Sequence, residues 1–156
     1  MKISANYKLE TNIKVTVEDT AGNILDIQEF HNSIMDVGFN LLRDALKGDV
    51  SDCEIKYVAV GTDGSAIDTT DTTLGTETFR KIKTSDAAGA TGVLTTTVYI
   101  APAEAVAAIE EIGWFAGAAA GAGADSGVMV SRVLYSRNKT ALESILIVRT
   151  DTISEV

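Results

Sequence analysis

At 156 residues the chain has the length of one domain, enough to bury about 68–70% of its unfolded surface without disulfides. A net charge of −9 excludes nucleic-acid binding, which needs clustered Lys and Arg, and docking on an anionic membrane. One cysteine, Cys53, excludes an intrachain disulfide or a cysteine-built zinc cluster.

Residues 1–11 show no periodicity and read as an extended N-terminal arm; residues 12–153 read as a single β-rich domain. The start, MKISANYKLE, has no apolar leader core, and no stretch approaches 18 apolar residues, so cytoplasmic synthesis without export is expected. From Asn12 to Glu18 apolar and polar residues alternate, which predicts a half-buried strand. Asp19 to Asn23 supply a turn, and Ile24 to Gln28 resume extended character, together a hairpin. The period then changes. After the capping pair Asn32-Ser33, the residues Ile34, Val37, Leu41, Leu42, Ala45 and Leu46 form one helical stripe that stops at Gly48. One amphipathic helix, about 33–47, is predicted to pack on a sheet.

From Cys53 onward the chain reads as strand and turn. Cys53 opens an apolar run and is expected to be a buried small hydrophobe. Strands are predicted at 55–60, 76–82, 93–100, 109–115, 128–135 and 144–152, with Pro102 closing the third of these. The fold class is therefore mainly β, a sandwich or compact antiparallel sheet with one helix on it.

The candidate chemistry is thin. Gly121 and Gly123 are followed by Ala124-Asp125-Ser126-Gly127 and then by a β-branched run, so the spacing misses a dinucleotide fingerprint and no helix offers its N-terminus to a phosphate. The loop reads instead as a small-residue strand connection, mobile or fitted closely to a neighbour. Asp63, Asp68 and Asp71 lack the alternation of a calcium loop and read as solvated. His31, the only histidine, has no nucleophile elbow to serve. Asn138-Lys139-Thr140 matches a glycosylation acceptor by chance. Tyr7, Tyr99 and Tyr135 are the rings on which a sugar could stack. Glu110 and Glu111 are adjacent, hence on opposite strand faces, and cannot act as a carboxylate pair. No catalytic, cofactor or metal residues are assigned. In IEEIGWFAG, Ile112 and Trp114 fall on one face and Glu111, Gly113 and Phe115 on the other, which predicts a strand buried on both sides. Glu111 needs a cationic partner there. Arg80 and Arg132 are the strand arginines, and strand order favours Arg80.

Taken in order, several segments resemble phage tail-collar fibre proteins and the related short domains that begin tail fibres. These are YVAVGTDG (57–64), TLGTETFRK (73–81), VLTTTVYIAP (93–102), IEEIGWF (109–115) and VMVSRVLYS (128–136), with the helix text NSIMDVGFNLLRDAL before them. The resemblance covers roughly residues 33–150. Glu110 stands where that family often has arginine, and the 116–127 loop is longer than its usual turn. The resemblance implies a virion structural protein of the tail or baseplate, made in the host cytoplasm, linking fibres to the tail. It further implies homo-oligomerisation, three- or six-fold, and contacts with other virion proteins. Glu77, Arg80, Glu111, Trp114 and Arg132 are the structural or interface candidates. Capsid decoration is the alternative, and a small hydrolase or carbohydrate-binding module is a second one.

Overall fold

The structure is a computed structural model that describes residues 6–156. Strands take 54% of the described residues and helix 8%, which places the protein in the mainly β class expected from its alternation. The order is β1 (Tyr7–Asp19), β2 (Ile24–His31), β3 (Ser33–Ile34), α1 (Asp36–Lys47), β4 (Ile55–Gly61), β5 (Glu77–Ile82), β6 (Ser85–Ala88), β7 (Val93–Ile100), β8 (Ala108–Ala116), β9 (Val128–Asn138) and β10 (Glu143–Glu155). Two antiparallel five-stranded sheets result. The first runs β2-β1-β10-β7-β6 and the second β3-β9-β8-β4-β5.

The main core lies between them, where period-two alternation turns one face of each strand inward. Ile13, Val15 and Val17 of β1 and Ile145 and Ile147 of β10 meet Val58, Ile112, Trp114 and Val133 of the second sheet. A smaller core covers the other face of that second sheet, where Met35, Ala59, Leu74, Phe115 and Met129 cluster with Ile67 and Ala120 from the loops above them. Strand β8 is thus buried on both faces, as its sequence predicts.

Four expectations need correction. The arm does not extend to residue 11, because Tyr7 to Thr11 pair with Glu155 to Asp151 of β10, whose backbone groups would otherwise lack partners at that end of the sheet. Residues 1–5 of the arm lie outside the described residues. The helix begins at Asp36, not 33. Ser33 and Ile34 are held as β3 against Arg132 and Ser131 of β9, and the N-cap is Met35, with no side-chain cap. Burial of Met35 in the smaller core, with its N–H on Val130 O, overrides the capping preference of Asn32-Ser33. The stop is as expected: Gly48 takes φ 85, a left-handed value that glycine adopts without strain.

The single helical stripe is in fact two. Leu41 packs on the main core and Val37 on the smaller one, whereas Leu42 and Leu46 are 40% and 84% exposed. Gly38 faces β9 so closely that a Cβ there would lie 2.7 Å from Val130 O. Both the obstructing atom and its neighbours are backbone, so Gly38→Ala is expected to push α1 off β9. It should cost about 1–3 kcal/mol in chemical unfolding, as overpacking does. An unchanged midpoint would mean that α1 is not docked on β9.

Fourth, residues 85–88, read as part of a soft connection, form the edge strand β6 against β7.

Candidate functional site

Strand register decides which charges meet. On the outer face of the second sheet, Glu77, Gly61 and Glu111 lie in one cross-strand row, and Arg80, Ala59, Gly113 and Arg132 lie in the next. Arg80 is therefore two strands and one row away from Glu111, and the pairing expected between them does not form. Glu111, fully buried, instead accepts from Arg132 Nε at 2.8 Å and from the backbone N–H groups of Gly75 and Thr76 at 3.1 and 2.9 Å. Arg132 also donates to Asp71 at 2.8 Å and, at 3.4 Å, to the carbonyls of Asp63 and Ser65. The Glu111–Arg132 pair thus fastens the 62–76 loop to β8 and β9.

Arg80 makes a second clamp. It pairs with Glu77 through two bonds of 2.8 and 2.9 Å, and its Nη1 donates to Ser126 O at 2.7 Å and Gly121 O at 3.3 Å. Its guanidinium lies 4.0 Å over the Phe115 ring, within cation–π range. The glycine-alanine loop is closed further by Ser126 Oγ, which donates to Gly123 O and accepts from Gly121 N. Two of its carbonyls converge on a cation, an arrangement of opposite polarity to a phosphate cradle. It is held closely, as one branch of the sequence reading required.

The aspartates of the 62–76 loop do not converge. Asp63 accepts from Ser65, Asp68 from Thr70, and Asp71 from Arg132. Among the described residues no three His, Cys, Asp or Glu side chains gather to hold a metal ion. The Ser65 hydroxyl and N–H hold the Asp63 carboxyl below its ordinary value of 3.8, and the Thr70 N–H and hydroxyl do the same for Asp68. A depressed carboxylate stabilises the fold above its unfolded value, and the contribution is lost as pH falls through the folded-state value. Asp68→Asn is accordingly expected to lower the urea midpoint at neutral pH, with the difference from wild type shrinking as pH falls below 3.8 and vanishing once it has passed the lowered folded-state value. A difference that persists in acid would show that the turn hydrogen bonds, not the charge, stabilise the loop.

His31 ends β2 on the exposed surface, and among the described residues no hydrogen bond links its ring to a serine or cysteine. Cys53 is exposed, not buried, because it precedes β4 in a surface loop. Tyr135 is buried against Phe30, and burial pushes its hydroxyl up to about 12. Tyr7 and Tyr99 remain as exposed rings. Lys139, within the chance glycosylation match, is buried, its ammonium donating to the carbonyls of Ala101, Pro102 and Thr140. Burial pushes its pKa down.

Sequence reasoning missed a third arginine clamp, inside the sandwich. Arg149 and Asp151 sit two apart on the inner face of β10 and form a bidentate pair with both bonds at 2.8 Å. Thr11 donates to Asp151 at 2.5 Å, Arg149 Nη1 donates to Ser131 Oγ, and the guanidinium is 5.7 Å from the Trp114 ring. The signal was present: opposite charges at alternate positions of an otherwise apolar strand face. This pair borders a cleft of about 310 Å³, lined otherwise by apolar residues such as Leu9, Leu94 and Ile153 of the first sheet and Phe39 and Leu42 of α1.

Set against protein-family models, curated proteins and solved structures, the chain matches none of them.

Proposed function

We propose that this chain is a bacteriophage virion structural protein, a tail or baseplate component that connects fibres to the tail through oligomerisation and protein–protein contacts. The observation that carries this reading is where the resembling segments sit. YVAVGTDG, IEEIGWF and VMVSRVLYS are β4, β8 and β9, three adjacent strands, and TLGTETFRK runs into β5 beside them. These four segments form one continuous patch of the second sheet, with the Glu111–Arg132 and Glu77–Arg80 clamps across it, while VLTTTVYIAP is β7 of the first sheet. Those buried charges are engaged in tying loops to strands, a use suited to a joint that must keep its shape under force.

The test is immunogold labelling of intact particles with an antibody to this chain. Gold at the tail or baseplate is the expected result. Gold over the head would replace the tail assignment by capsid decoration, and no gold on particles with an accessible epitope would overturn the virion reading.

A further inference from the structure

The inward face of the first sheet outruns the second sheet. Along β1, alternate residues face the core, and their exposure rises from 0% at Ile13 to 77% at Tyr7. Ile153 on β10 is 51% exposed, and Leu94 on β7, in the same cross-strand row as Asp151, is 37% exposed. Opposite this overhang runs the outward stripe of α1, where Phe39 and Leu42 are 51% and 40% exposed and Leu46, one turn on, is 84% exposed. The result is an apolar cleft on one end of the molecule, walled by Phe39 and Leu42, with Leu46 standing beyond it.

We propose that this end is a self-association surface, in which the exposed α1 wall of one copy, Leu46 foremost, packs onto the cleft face of a second copy of this chain. The inference rests on the assembly role proposed above and names the surface that performs it. Area is the first argument. The six side chains expose on the order of 600 Å² of apolar surface, at the top of the range for the largest patch on a monomer and most of what each partner gives a standard interface. Charge is the second. The protein carries −9 overall, yet the charges along α1 and at the start of β1 cancel within the chain: Arg43 with Asp44, Lys47 with Asp49, and Lys8 with Glu10. Arg149 and Asp151 cancel at the cleft itself. A second copy meets little local repulsion there, and a strongly acidic or basic partner finds little net charge to read. Asp36 and Glu155 stand at the edges of the patch, where an interface rim is polar. Reciprocated, the contact gives a two-fold dimer; passed head to tail, it gives a ring where its rotation closes and a filament where it does not.

Cys53, exposed and bordering the cleft, is the only thiol and reports on it directly. The experiment follows sedimentation and the rate of Cys53 reaction with a thiol reagent over a concentration series, for wild type, Leu46→Glu and Ile153→Glu. Both substituted side chains are more than half exposed, and circular dichroism checks that the variants fold. The wild type is expected to associate and to protect Cys53 as concentration rises. Each variant is expected to weaken association about ten-fold or more, as loss of an interface anchor does. A wild type that stays monomeric, or variants that associate as it does, would overturn the proposal. Gold at the tail with a monomeric chain would overturn only this surface, whereas an intact oligomer absent from particles would overturn only the virion reading.

Discussion

Glu111→Ala is expected to lower the unfolding free energy by about 3–5 kcal/mol, the usual cost of leaving a buried charge without its counter-charge. Three donors lose their acceptor together: Arg132 Nε and the N–H groups of Gly75 and Thr76. Arg132 retains Asp71, but that carboxylate is partly exposed and compensates only part of the loss. A domain of this size has a total stability of only about 5–15 kcal/mol, so the variant should approach marginal folding. Urea unfolding of Glu111→Ala, Arg132→Met and the double variant separates the terms. The double variant is expected to recover part of the loss, since a pair removed whole leaves no orphaned charge. A Glu111→Ala loss below about 1 kcal/mol, the range of solvent-exposed pairs, would mean that water reaches Arg132 and the clamp does not hold the loop.

Arg149→Met should cost a similar amount, about 3–5 kcal/mol, at the opposite face of the sandwich core. Asp151 would keep the Thr11 hydroxyl and lose both guanidinium bonds. Adding Asp151→Asn should restore much of the loss by removing the stranded charge. Trp114, the only tryptophan, supplies a second readout, because the guanidinium lies beside its ring. Its emission is expected to shift in Arg149→Met while Glu111→Ala leaves it nearly unchanged. If both variants moved the emission equally, the two clamps would not be independent.

These two pairs show what was legible in the sequence and what was not. Strand existence was legible at β1, β4, β7, β8, β9 and β10, because apolar alternation or β-branched runs reach the core directly. The two-sided burial of β8 was legible for the same reason. Partner choice was not, because it depends on strand order: Arg80 and Arg132 share the row next to Glu111, but Arg132 lies on β9, adjacent to β8, whereas Arg80 lies on β5, with β4 between. The start of α1 was misread because Asn32-Ser33 has good local capping chemistry, while the burial of Met35 and the pairing of β3 are long-range. The outward turn of Leu42 and Leu46 was invisible for a related reason. Helical periodicity places residues on a stripe but does not say how much of that stripe the sheet can cover.

The position of β10 between β1 and β7 has a consequence for how the molecule is made. Until its residues leave the ribosome, the first sheet exists only as two unconnected hairpins, β1-β2 and β6-β7, each with one apolar face in water. The pairing of β1 with β10, which the Thr11–Asp151 bond joins across 140 residues, needs the longest loop closure in the sheet. Folding should therefore be slow and late, with the nascent chain prone to sticking before β10 arrives. At high concentration those open hairpins are the surfaces through which unfinished chains would pair with one another.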